Sequence, residues 1–181
     1  AEIHNEQSLF FTFSKTEYTK LGVITVTPFE WMEASYFYYR PDDLYWGAAK
    51  GLYLDKGFNV KFLYKPRSIL MPNFALGLDD FAGTGQFTRE YIAATYNFNR
   101  LKLTSGIGWG KYVGESSIKN PFSYLNNRFE TRRSTSNNYQ LGGSPSYDLW
   151  FRGPSSLFGG VEIDIRSLRN LSLKIESDPF D

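Results

Sequence analysis

Asp79 and Asp80, with Arg89 and Glu90 just beyond a Gly83-Thr84-Gly85 turn, form a compact ionisable group. Two carboxylates facing each other across a sugar could serve as acid and base on a glycosidic bond. Adjacent strand residues point to opposite faces, so Asp79 and Asp80 cannot form that pair together. The expectation is structural: one carboxylate caps the turn, the other pairs with Arg89 across a hairpin, and Arg89 and Glu90 belong to the turn or to a barrel lumen. Arg152, in Arg152-Gly153-Pro154, offers a planar fork suited to an acidic sugar or a lumen carboxylate, with a lumen salt bridge as its expected role. Ser116, Ser117 and Ser134 lack a nearby base, because His4 is the single histidine. No cysteine is present, which removes disulfides, thiolate metal sites and a cysteine nucleophile. No catalytic, metal or cofactor-binding residue is assigned, and the expectation is a protein that is not an enzyme and carries no cofactor.

The elements that position these residues are strands. Leu101, Leu103, Ile107 and Trp109 share one face while Lys102, Thr104, Gly106, Gly108 and Gly110 share the other. Leu157, Val161, Ile163 and Ile165 alternate with Glu162, Asp164 and Arg166, and Leu171, Leu173 and Ile175 with Ser172, Lys174 and Glu176, around an Arg169-Asn170 turn. Phe58, Val60, Phe62 and Tyr64 oppose Asn59, Lys61 and Lys65. Stretches 9–14, 20–27, 31–40, 44–52, 73–80 and 89–98 complete a set of about ten strands. Short connections make these an all-β antiparallel up-and-down meander. The glycine pairs and triplets precede no helix, so they mark bends in strands and not phosphate loops.

The exception is 112–150, rich in Asn, Ser, Gly and Arg, a single long irregular loop in a one-domain chain. Loops of that length are usually functional or mobile. It carries Arg128, Arg132 and Arg133, with Tyr139 and, at its end, Trp150. Together with Arg152 these are the candidate glycan contacts, since aromatic faces and guanidinium groups suit sugars.

The chain has 181 residues, 41% hydrophobic and 22% charged, which excludes global disorder. A formal charge of +1 gives no footprint for nucleic acid. No apolar run is long enough for a transmembrane helix, but a transmembrane barrel alternates its faces and stays polar on average. Aromatics make up 18% of the chain, and Trp31, Tyr36, Tyr38, Tyr39, Tyr45, Trp46 and Tyr53 crowd into one region. Rings at strand ends suit a bilayer interface, and this favours a membrane barrel. Alternation alone does not say which face is inside; a soluble barrel binding a small apolar ligand or a sugar is the alternative. A hydrolase would need a nucleophile with a base, which the sequence hardly supplies.

An ordered set of segments carries a resemblance: residues 73–91 (NFALGLDDFAGTGQFTREY), 103–111 (LTSGIGWGK), 120–122 (NPF) and 151–162 (FRGPSSLFGGVE), supported by 31–40 and 56–64 (KGFNVKFLY). It resembles the YjbH-like family of outer-membrane proteins linked to exopolysaccharide biosynthesis and export. The resemblance implies a transmembrane β-barrel, whole or partial, in the outer membrane of a Gram-negative bacterium. It further implies outer-membrane lipid, an exopolysaccharide chain and other exopolysaccharide-operon envelope proteins as partners. Family members are much longer and are thought to carry more than one barrel-like region. This chain lacks the lipid-carrying N-terminal cysteine expected of lipoprotein members. Its start at Ala1 without a leader fits a mature or trimmed form. Its end, with Pro179 after the last strand, fits a piece of a longer protein.

Overall fold

The computed structural model describes residues 1–42, 54–83, 85, 87–111, 113–114, 116–133, 145, 147–165 and 171–179. Among them, nine strands form one sheet in chain order: β1 (Ser8–Lys15), β2 (Thr19–Phe29), β3 (Met32–Pro41), β4 (Asp55–Tyr64), β5 (Asn73–Asp79), β6 (Arg89–Phe98), β7 (Leu101–Gly110), β8 (Ser155–Ile165) and β9 (Leu171–Ser177). Every sequential pair is antiparallel. The expected strand over 44–52, with Tyr45, Trp46 and Tyr53, lies outside the described residues. So do the 169–170 turn and Tyr139. Because β3 pairs directly with β4, no strand is interposed between those two. Pro28, which has no N–H to give a ladder, coincides with the register shift between Val26 and Phe29.

The sheet is open: where a whole or partial barrel is expected, the nine described strands do not close one. β1 and β9 are its edges. An even number of antiparallel steps separates them, so they run in the same direction. Antiparallel pairing of these two edges with each other is therefore geometrically impossible.

The register sorts the side chains into two faces. Phe11, Ile24, Tyr36, Phe58, Leu76, Ile92, Ile107 and Leu157 lie on one, with Leu103, Val161, Ile163, Leu173 and Ile175. The other carries Ser35, Asn59, Lys61, Asp79, Arg89, Thr95, Thr104, Lys102, Glu162, Lys174 and Glu176, interspersed with glycine and alanine. The burial is the reverse of a water-soluble β-protein. Phe11 is 73% exposed, Leu157 63% and Ile175 65%, whereas Asp55, Ala75, Ala93 and Thr95 on the polar face are buried. Small residues explain how the polar face fits inside. Across the strands Gly57 sits opposite Phe37, Gly77 opposite Tyr91 and Gly106 opposite Phe158, and a Cβ at any of the three would overlap the facing ring.

The two ends of the sheet differ. At one end Glu30 and Trp31 alone join β2 to β3, and Asn99 and Arg100 alone join β6 to β7. Exposed Trp31, Tyr64 and Phe98 gather there, with Phe29 stacked on Trp31 at 5.2 Å. That end also holds 65–72 between β4 and β5; the opposite end carries the short 16–18 between β1 and β2 and the longest connection, between β7 and β8.

The described part of that β7–β8 connection folds back over the apolar face. Two 3-10 turns, Pro121–Tyr124 and Asn127–Phe129, are capped by Asn120 and Asn126, whose side-chain oxygens accept from Phe122 N and Arg128 N. Trp109 is fully buried beneath them, stacked on Phe122 at 5.3 Å and edge-on to Phe151 at 5.2 Å. Asn120 ties the turns together, its Nδ2 donating to Phe129 O and Phe151 O, both at 2.8 Å.

Candidate functional site

The polar face is hollowed by clefts. The one nearest the long-connection end has a volume of about 290 Å³ and is lined by Leu21 and Val23 of β2, Phe37 and Tyr39 of β3, Asn59 of β4, Asp79 and Asp80, Phe87 and Arg89. Alternation delivers this set: Leu21 and Val23, Phe37 and Tyr39 are each two apart, so each pair faces the same way. Tyr39 meets Phe87 edge-on at 5.8 Å. The polar rim is an ion pair and an amide. Arg89 Nε donates to Asp79 Oδ2 at 2.6 Å, across the β5–β6 register that places the two residues opposite each other. Asn59 Nδ2 donates to Ser35 Oγ at 3.2 Å, and its Oδ1 accepts from Asp80 N at 2.9 Å.

Asp80 follows the end of β5 with φ 53, a left-handed conformation that Asp and Asn tolerate better than most residues. Its Oδ2 accepts from Phe87 N at 3.2 Å, and Oδ1 has no hydrogen-bond partner among the described residues. Burial pushes its pKa up to about 7, and the neighbouring Asp55 carboxylate adds to the shift against the backbone N–H groups of Phe87 and Gly85. The folded chain therefore takes up a proton between roughly pH 4 and 7 that the unfolded chain does not. Stability contributed by this group is present at acid pH and falls as pH rises through that window. We expect Asp80→Asn, which keeps the turn conformation, to remove this slope and to raise the denaturant midpoint above pH 7 while changing it little near pH 4. Parallel titrations of the two proteins at each pH check this; a variant with the parent's slope would assign the slope to another group.

Residues at the start of the chain cross the lower polar face. The Ala1 amino group donates to Thr95 Oγ1, Lys102 pairs with Glu2 at 2.9 Å, Lys61 Nζ donates to Glu2 O at 3.2 Å, and His4 Nδ1 lies 2.6 Å from Glu33 Oε2. Gln7 N donates to Thr27 O at 2.7 Å. A cleft of about 310 Å³ remains beside this strap, between Lys102, Glu162, Lys174 and Glu176.

The loop residues singled out from the sequence are not brought to this face. Arg132 donates from Nη1 to Glu90 Oε2 at 2.8 Å and from Nη2 to Glu90 Oε1 at 3.0 Å, on the opposite side of the sheet, with further bonds to Leu149 O and Thr88 O. Glu90, next to Arg89 in sequence, thus points away from the cleft. Arg133 pairs with Asp148 and, through that hydrogen bond, holds its carboxyl below the usual carboxylate range. Trp150 packs edge-on to Tyr147 at 4.8 Å and to Phe81 at 6.4 Å. Arg128 is exposed and Arg152 half-buried at the same end. Sequence reasoning missed Phe37, Tyr39, Asn59 and Phe87 as site residues. The period-two spacing on three neighbouring strands was the available signal, but the register that aligns them is a tertiary fact.

Among the described residues no three His, Cys, Asp or Glu side chains converge to hold a metal ion, and no helix is long and apolar enough to cross a membrane.

Comparison with known proteins gives two matches. The model of a family described as exopolysaccharide biosynthesis protein YbjH matches residues 1–181. A protein of Escherichia coli (strain K12), named uncharacterized lipoprotein YjbH, is 30% identical over 97% of this chain. The chain spans 25% of the length of that relative. No solved structure matches it.

Proposed function

Because the chain belongs to the YjbH family of exopolysaccharide biosynthesis proteins, we propose that it forms wall of an outer-membrane β-barrel and contributes to exopolysaccharide assembly or export without catalysis. The observation that carries this reading is the inverted burial. A continuous apolar face turned outward and a charged face turned inward is the arrangement a bilayer requires and water penalises. Strand length agrees: β2, β3, β4, β6, β7 and β8 have 10 or 11 residues, within the roughly 9–11 that span a bilayer as tilted strands. The two-residue β2–β3 and β6–β7 turns with exposed aromatics at one end, and the long β7–β8 connection at the other, fit the usual asymmetry of such barrels. The lipoprotein name of the E. coli relative supports an envelope location in a Gram-negative cell. In this reading the outer face meets lipid, the polar face, the exposed Arg128 and the half-buried Arg152 meet the glycan chain, and envelope proteins of the same system are its partners. The soluble-barrel alternative would need the apolar face inside.

Leu103, an exposed residue of the outer face two positions from the middle of β7, supplies the test. In a bilayer Leu103→Arg should cost about 2–4 kcal/mol of folding stability. On a water-facing strand it should stay within about 0.5 kcal/mol. The measurement is folding into lipid vesicles by urea titration, with heat-modifiable gel mobility of the outer-membrane fraction alongside. A folded β-rich monomer in the soluble periplasmic fraction, indifferent to Leu103→Arg, would overturn the proposal.

A further inference from the structure

The upper cleft of the polar face has two kinds of wall. Leu21, Val23, Phe37, Tyr39 and Phe87 make an apolar side, and Asn59, Asp79 and Arg89 a polar rim. A purely apolar ligand would leave that rim desolvated without new hydrogen bonds, which is unfavourable. A pyranose ring carries both kinds of surface, an apolar face of C–H groups and an equator of hydroxyls. At about 290 Å³ the cleft has room for one or two such rings. The charge pattern sets a further condition. Arg89, the cation of the lining, is already met by Asp79 at 2.6 Å. The Asp80 carboxyl lines the same cleft and the Asp55 carboxylate interacts with it, so an added carboxylate meets like charge.

We infer that this cleft is a binding subsite for neutral sugar residues of a glycan and discriminates against uronic acids. The inference rests on the reading of the chain as an exopolysaccharide protein and names the class of glycan unit it would hold. Tyr39 and Phe87 supply the stacking faces; Asn59 and the Asp79–Arg89 pair supply hydroxyl partners.

Binding is measured on the folded full chain by calorimetry and saturation-transfer NMR, with neutral gluco-, galacto- and manno-hexasaccharides and with an oligogalacturonate of equal length. We expect at least one neutral hexasaccharide to bind with a dissociation constant on the order of 1 mM, and the uronate about tenfold more weakly. Tyr39→Ala and Phe87→Ala should each weaken binding about tenfold, near the upper end for loss of one aromatic contact. Tyr39→Phe, which keeps the ring, should bind as the parent does, separating stacking from a failure to fold. Absence of binding by all three neutral probes, a uronate that binds as tightly, or binding unchanged in Tyr39→Ala and Phe87→Ala would each overturn the inference. Membrane insertion is scored in the same preparations. A chain that inserts but does not bind sugars refutes the subsite alone, whereas one that stays soluble refutes the barrel reading independently of sugar binding.

Discussion

Replacing Arg132 with Met is expected to cost about 3–5 kcal/mol of folding stability, the penalty for leaving one member of a buried ion pair without its partner. Glu90 is fully buried on the apolar face, where water cannot replace the guanidinium. Its two oxygens accept from Arg132 at 2.8 and 3.0 Å, and Oε2 also accepts from Phe151 N at 3.0 Å. Arg132 is held in turn by the carbonyls of Leu149 and Thr88. Its loss therefore unties both halves of the β7–β8 connection from the sheet. The check is a urea titration, with limited proteolysis between residues 113 and 133 as a local readout. Glu90→Gln should also destabilise: its one acceptor oxygen can serve Arg132 Nη1 and Phe151 N, but its amide N–H2 then faces Arg132 Nη2 and the guanidinium loses its counter-charge. The double replacement Glu90→Leu with Arg132→Met should recover much of the loss, since no buried charge remains unpaired. A single Arg132→Met variant as stable as the parent would show that the pair does not anchor the loop.

Trp109→Ala is the second large effect, about 3–5 kcal/mol for deleting a buried tryptophan. The ring is the centre of a small core built outside the sheet. Phe122 stacks on it, Phe151 meets it edge-on, and Phe129 leans on Phe122 at 5.6 Å. Trp109 lies opposite both Glu90 and Ser155 in the strand register, so the cavity would open directly beside the Glu90–Arg132 pair. The two substitutions share these neighbours and should combine to less than the sum of their separate costs. Denaturant midpoints of the two single variants and the double variant measure the shortfall. Strict additivity would mean that the aromatic cluster and the ion pair hold the connection independently.

The anchoring role of Arg132 was not legible from the loop composition. Three arginines among Asn, Ser and Gly look alike in sequence. In the structure Arg132 anchors the loop to Glu90, Arg133 pairs with Asp148 and Arg128 is exposed. The distinction depends on where β6 begins relative to the returning chain. By contrast, a pairing of Arg89 with one of Asp79 and Asp80 was legible, because residues flanking a hairpin turn face each other; the β5–β6 register decides that the partner is Asp79.

Sequence alone determined the strands and the sorting of their side chains. Period-two alternation needs only the pleat, and short turns need only antiparallel neighbours, so β4, β7, β8 and β9 could be read residue by residue. What alternation cannot express is which of the two faces is enclosed, since both curvatures use the same pattern. The tertiary structure decided that. Glycines at 57, 77 and 106 accept the rings of Phe37, Tyr91 and Phe158 on the polar side, so that side is enclosed while Phe11, Leu157 and Ile175 stand exposed. The same structure decided the site, because Tyr39, Asn59 and Phe87 come from separate elements and meet only when the register of neighbouring strands is set by hydrogen bonds across the whole sheet.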